Sequence, residues 1–193
     1  MARLLILGRQ GSGKGTQCAR LADHYGIPHI STGEILRAAV AEGTELGREA
    51  KAIMDAGDLV PDRIMLDIIR ERLAQPDAAG GFLLDGFPRT AAQASGLAEI
   101  LGDEGLDLAV NLEVPDDVVV ERMLARGRAD DTEEAIRTRL DLYEAETAPL
   151  LKRYRDDAIL ATVDGVGSED EVFGRLVEVI DTHRAVGLSS GSS

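Results

Sequence analysis

The chain has 193 residues, 44% of them apolar, enough to bury one substantial core and suited to a single domain with small inserted lobes. Its net charge of −14, from 35 acidic against 21 basic residues, opposes broad association with nucleic acid or an anionic membrane, so an anionic ligand has to meet a local basic pocket. A lone cysteine, Cys18, excludes an intramolecular disulfide and a multi-cysteine zinc site; it reads as a small buried hydrophobe, and neither redox chemistry nor a cysteine-held metal is expected.

The apolar start, Ala2 to Leu7, runs straight into glycines instead of a cleavage site, and no run of about 18 apolar residues occurs, so a soluble, cytoplasmic protein is expected. Four short apolar, partly β-branched runs predict buried parallel strands: Leu4 to Leu7, Phe82 to Leu84, Leu108 to Val114 and Ile159 to Val163, with His29-Ile30 as a weaker fifth. Helical segments alternate with them. The clearest runs from Glu133 to Arg155, where Ile136, Leu140, Tyr143, Leu150 and Tyr154 recur on one face. This alternation predicts an α/β fold: a parallel five-stranded sheet flanked by helices, whose ligands collect beyond the carboxyl ends of the strands. Residues 31–60 read as a small lobe interrupting the core, and 126–132 as a short polar loop. Gly187 to Ser193, glycine and serine with one leucine, is set aside as a disordered tail or an expression scar.

The first strand leads into Gly8-Arg9-Gln10-Gly11-Ser12-Gly13-Lys14-Gly15-Thr16-Gln17, and helical residues follow. This is the context a phosphate-binding loop requires. Glycines let successive backbone N–H groups turn around phosphate oxygens, the helix offers its positive end, and Lys14 supplies a point charge. Residue 15 is glycine where most such loops place a magnesium-holding hydroxyl, so magnesium has to rely on phosphates, waters and a remote carboxylate. Asp85, closing the run Phe82-Leu83-Leu84, is the candidate. Ser12 and Thr16 can add hydrogen bonds or merely cap the helix. The histidines, His24, His29 and His183, lie outside every motif and read as surface residues.

Six ordered segments resemble the adenylate kinase family over nearly the whole chain: Gly11-Ser-Gly-Lys-Gly-Thr-Gln17, Ile30-Ser-Thr-Gly-Glu34, Gly57-Asp-Leu-Val-Pro61, Leu84-Asp-Gly-Phe-Pro-Arg89, Arg126-Gly-Arg-Ala-Asp-Asp131, and Tyr143 through Thr147-Ala-Pro-Leu150. The resemblance implies a P-loop NTPase-type core (1–30, 61–125 and 133–186), an AMP-binding lobe at 31–60 and a lid at 126–132. The lid is similar to the short form, so no zinc is expected. It further implies that ATP is held by Gly11, Ser12, Gly13, Lys14, Gly15, Thr16, Arg126 and Gly167. AMP is assigned to Thr32, Arg37, Asp58, Leu59, Val60, Gly86, Phe87, Pro88, Arg89, Gln93, Arg128 and Arg139. Lys14, Arg89, Arg128 and Arg139 take the catalytic roles and Arg122 assists at the lid hinge; Asp85, by its place at the strand end, is the candidate to hold Mg2+ through water. Arg9-Gln10 replaces the family's usual Pro-Pro, which removes no backbone donor.

The implied reaction is reversible phosphoryl transfer, ATP and AMP to two ADP, by a monomer. It needs in-line positioning and fixed positive charge, which converging arginines supply. No general base is required, since the attacking group is already an ionised phosphate oxygen. The nearest alternative is a UMP/CMP or other nucleoside monophosphate kinase; the Gln93 amide, able to donate to and accept from an adenine edge, favours AMP. From another class, a non-catalytic nucleotide-binding module would leave basic residues at two nucleotide sites unexplained. A guanine-reading Asn-Lys-x-Asp element is absent, since Asn111, the only asparagine, is followed by Leu112.

Overall fold

A computed structural model describes residues 2–128 and 130–190, the side chains of 186–190 excepted. In chain order, its elements are β1 (Arg3–Leu7), α1 (Lys14–Tyr25), β2 (His29–Ser31), α2 (Thr32–Glu42), α3 (Glu45–Ala56), α4 (Asp62–Leu73) and β3 (Phe82–Asp85). They continue with α5 (Ala91–Leu101), β4 (Leu108–Glu113), α6 (Asp116–Arg126), α7 (Glu133–Leu142), α8 (Ala148–Asp156), β5 (Leu160–Asp164) and α9 (Glu169–Ser190). The five strands form one parallel sheet in the order β2-β3-β1-β4-β5. All five fall on the runs the sequence marked, including the weak pair at His29-Ile30.

Strand alternation distributes the core between both faces. Leu5, Leu7, Phe82, Leu84 and Ala109 face a cluster completed by Met65, Ile69, Leu97, Leu150 and Tyr154. Leu4, Ile6, Leu83, Leu108 and Val110 face another, made with Cys18 and Leu21 of α1 and with Val172, Leu176 and Ile180 of α9. A smaller cluster of Val114, Val119, Met123 and Ile136 joins α6 to α7. Cys18 is fully buried, as its residue type suggested.

Two local readings need correction. The helix expected from Glu133 to Arg155 is interrupted: α7 ends at Leu142, residues 143–147 form a wider π-type turn, and α8 starts with Pro149 in its first turn. Proline lacks the N–H that a regular helix would direct back to residue 145, so the wide turn absorbs the misfit. The stretch from Gly187, read as a disordered tail, is helical backbone as far as Ser190; residues 191–193 lie outside the described residues.

Between β2 and α4, α2 and α3 pack against each other. Ser31 and Thr44 cap them by accepting from Glu34 N and Gly47 N. Their crossing is so close that a Cβ on Gly47 would stand 2.0 Å from Ala39 O.

Candidate active site

The loop between β1 and α1 curls at the carboxyl edge of the sheet. Gly8 and Gly11 adopt positive φ, and a Cβ on either would lie 2.6 Å from Leu112 O or 2.5 Å from Val119 O, so only glycine fits the loop against β4 and α6. No side chain caps the start of α1, which leaves its first N–H groups directed at the loop. Lys14 Nζ lies across the loop, donating to Gly8 O at 2.6 Å and Arg9 O at 2.7 Å. Burial is the main force drawing its pKa down from the ordinary 10.5 to about 8; Asp85 opposes this, and Arg89 and Arg126 add to it. Ser12 Oγ is buried with no hydrogen-bond partner among the described residues.

Around this loop opens a cleft of about 580 Å³. It gathers every residue from Gly11 to Thr16 together with Arg37, Asp85, Gly86, Arg89, Arg122, Arg126, Arg128 and Gly167. Asp85 closes β3 opposite Ile6 of β1 and Ser31 of β2, which sets its carboxylate at the carboxyl edge. Burial would raise its pKa, but His29, Lys14 and Arg89 outweigh that and the net shift is downward, so the carboxylate stays ionised. That charge, facing the cleft near Gly15, suits a hard divalent cation.

The other expected residues line two adjoining recesses. Thr32, Arg37, Asp58, Leu59, Val60, Arg89, Gln93 and Arg139 surround one, with Met54 and Met65 as apolar wall. Gly86, Phe87, Pro88, Arg89 and Arg139 border the second. Phe87 is itself almost fully buried, so its side chain serves the core. Arg89 is fixed from several sides: its Nε donates to Gly86 O at 2.8 Å, its backbone N–H donates to Gln93 Oε1 at 2.7 Å, and Thr147 Oγ1 donates to its carbonyl at 2.9 Å. Burial lowers its pKa, Asp85 resists, and Arg139 and Arg37 press the same way as burial. Cations that repel one another at close quarters form a site complementary to polyanions.

Arg139 is buried and ion-paired with Asp130 and Asp131, and donates to Met54 O at 3.2 Å. Asp131 also accepts both arms of Arg126, at 2.9 and 2.8 Å. Arg128 reaches the same cleft; burial, Arg37 and Arg126 all lower its pKa. Its neighbour Ala129 lies outside the described residues. Arg122, expected at the lid hinge, instead spans from Ser12 O at 3.2 Å to Gly165 O at 3.4 Å, tying the phosphate loop to the turn after β5.

Several contributors escaped sequence reasoning. Asp62 accepts from Gln93 Nε2 at 2.8 Å and from Thr90 Oγ1 at 3.0 Å, and so orients the Gln93 amide. His29, read as a surface residue, is a correction: its side chain is 13% exposed and its Nε2 lies 3.4 Å from Asp85 Oδ2. Strand β2 inserts beside β3 and carries His29 inward, a pairing that no local motif announces. His24 is exposed and His183 only half-buried.

The family model described as "Adenylate kinase" matches residues 6–159, spanning the phosphate loop, both recesses and the arginine set. The chain belongs to the adenylate kinase family. Curated relatives agree along nearly the full length. The chain is 52% identical to the adenylate kinase of Nocardia farcinica over 180 residues, covering 92% of this chain and 98% of that one. It is 53% identical to that of Corynebacterium glutamicum with the same coverage, and 50% identical to that of Leptospira biflexa over 186 residues, covering 93% and 100%. Within the adenylate kinase family, then, the cleft described above is this chain's candidate for joining two nucleotides. No helix among the described residues is long and apolar enough to cross a membrane.

Proposed function

We propose that the chain catalyses reversible phosphoryl transfer between ATP and AMP, holding the two phosphate chains end to end across the arginine-lined cleft. The observation that carries this reading is the continuity of the loop cleft with the recess bordered by Thr32, Val60 and Gln93, with Arg89 common to both. A single-nucleotide module has no use for a second recess walled by Arg37, Arg89 and Arg139.

Backbone amides from Gly11 to Thr16 and the Lys14 ammonium hold the donor's β- and γ-phosphates. Arg126 and the turn at Gly167 bound the donor side, with Arg122 fixing the loop itself. In the acceptor recess, Gln93 is oriented by protein partners of fixed character: a backbone N–H can only donate to its oxygen, and the Asp62 carboxylate only accepts from its nitrogen. One lone pair and one N–H remain for a base edge, which suits the donor–acceptor pair of adenine. Arg37 and Arg89 grip the acceptor phosphate, and Arg128 and Arg139 supply charge to the transferring group, Arg139 once Asp130 and Asp131 release it. Magnesium, when bound with the donor, neutralises phosphate oxygens; Asp85 is the residue that would hold it, through water. Closure of residues 126–132 over the core and of lobe 31–60 toward it would keep water from the phosphoryl group. We infer a monomer acting in the cytoplasm.

A coupled assay offering ATP and magnesium with AMP, UMP, CMP or GMP in turn tests the reading. ADP formation with AMP far above the others is expected. A preference for a pyrimidine monophosphate moves the chain to the neighbouring kinase class, and binding of one nucleotide without ADP formation refutes transfer altogether.

A further inference from the structure

Cys18 on the inner face of α1, His29 at the start of β2 and Asp85 at the end of β3 come from three separate elements, yet their ligand-type atoms, Sγ, an imidazole nitrogen and a carboxylate oxygen, all lie within 4.8 Å of one another. His29 Nε2 and Asp85 Oδ2 are 3.4 Å apart, and His29 Nε2 is enclosed with no hydrogen-bond partner among the described residues. A tetrahedral ion bound at about 2.0–2.1 Å by a nitrogen and an oxygen sets those two atoms roughly 3.3–3.4 Å apart. The histidine–aspartate separation therefore already has the span of a coordination edge. A thiolate at about 2.3 Å requires Sγ to lie about 3.5 Å from both, an inward shift of at most about 1.3 Å from the 4.8 Å limit.

We propose that Cys18, His29 and Asp85 form a binding site for a borderline-soft divalent cation of the zinc and cobalt type, and that its occupation inhibits the enzyme by withdrawing Asp85 from magnesium. The donor set decides the class of ion. Magnesium demands oxygen ligands and does not exchange them for sulfur and imidazole, whereas zinc and cobalt favour both. On binding, the thiol proton leaves to solvent and the thiolate, imidazole and carboxylate fill three positions. The fourth is left to a water, which the cleft lined by Asp85 can supply. The two metal roles thus share one carboxylate and exclude each other. Lys14, whose charge reaches Cys18, opposes a further cation, so the site is one of reversible inhibition and not a structural anchor. It is also distinct from a lid metal, since none of its ligands lies in 126–132.

The experiment starts from reduced, nucleotide-free protein titrated with Co2+ and then Zn2+, followed by absorption and calorimetry. One equivalent should bind, and cobalt should give a near-ultraviolet thiolate-to-metal band with the visible bands of a tetrahedral ion. Cys18→Ala should abolish the ultraviolet band, weaken zinc binding at least about tenfold, and retain magnesium-supported turnover. Activity assays at fixed excess magnesium should show zinc inhibition of the wild-type enzyme relieved in that variant. His29→Gln, read by cobalt absorption and zinc calorimetry alone, should lose affinity similarly and guards against a cysteine variant that fails to fold. Absence of a thiolate band, or zinc binding unchanged in either variant, would overturn the proposal. Because the cobalt titration requires no substrate, its outcome is independent of which nucleotides the enzyme uses.

Discussion

Lys14→Met should make the nucleotide-free protein more stable at neutral pH while disabling it. Burial lowers the Lys14 pKa from 10.5 to about 8, and each unit corresponds to about 1.36 kcal/mol, so holding the ammonium in this site costs on the order of 3 kcal/mol. The sign is fixed by the direction of the shift. Below pH 8 the lysine is charged in both folded and unfolded chains and the full penalty applies. Between about 8 and 10.5 the folded protein gives up its proton first, so stability recovers with rising pH. Above 10.5 both forms are neutral and the penalty is gone. The hydrogen bonds from Nζ to Gly8 O and Arg9 O offset part of it, which makes 3 kcal/mol an upper bound. For a chain of this length that bound corresponds to a melting shift of roughly 6–12 °C. Urea melts of both proteins, compared at pH 7 and at successive steps to pH 10.5, isolate the lysine because other titrations cancel in the difference. The variant's advantage should shrink across that window, and its turnover should fall roughly a hundredfold or more at every pH. A stability difference that stays flat with pH would refute the account of Lys14 as a charge stored at a cost.

Three other substitutions probe separate parts of the site. Arg89→Lys removes the planar fork and the Nε bond to Gly86 O, so kcat/KM for AMP should fall at least about tenfold, and by at least as much as that for ATP, in separate titrations of the two substrates. Asp85→Asn keeps the shape of the strand end but not its charge; a magnesium titration of the rate should show a raised half-saturation and at least about a tenfold lower plateau. Gly47→Ala drives a Cβ into Ala39 O at 2.0 Å, which should loosen the α2–α3 pair and cost about 1–3 kcal/mol in a denaturant melt, with AMP affinity falling before ATP affinity.

The sheet was legible because four of its strands are short apolar runs closed by a glycine, proline or aspartate, with only His29-Ile30 a weak signal, and the phosphate loop because its glycine spacing is dictated by backbone geometry. What stayed hidden depends on partners distant in sequence. His29 has no local signature, and its proximity to Asp85 exists only because β2 pairs with β3 across 54 residues of chain. The π-type turn at 143–147 interrupts a helical pattern that continues in phase on both sides, so periodicity alone could not find it; Pro149 was the available signal. Asp62 carries no motif of its own and acquires meaning only when α4 brings it under Gln93.

A strongly acidic chain concentrates its cations where they repel one another, and the same structure shows what holds them there. Arg89, Arg128 and Lys14 all have lowered pKa values, with burial the largest cause and neighbouring cations adding to it. Asp131 pairs with both Arg126 and Arg139, and Asp130 with Arg139, so these two carboxylates neutralise two of the site's arginines in advance of any phosphate. A ligand phosphate therefore meets Arg126 and Arg139 already paired, and there it has to exchange places with carboxylates in contact. That exchange gives little net energy for a single phosphate group, because one ion pair replaces another. It becomes favourable when a polyphosphate also relieves the repulsion among Arg37, Arg89, Arg128 and Arg139, which one carboxylate pair cannot reach. On this reasoning the acidic residues at 130 and 131 set a threshold: Arg126 and Arg139 leave their carboxylates only when donor and acceptor phosphates are both present, which is also the condition under which transfer, and not hydrolysis, can follow.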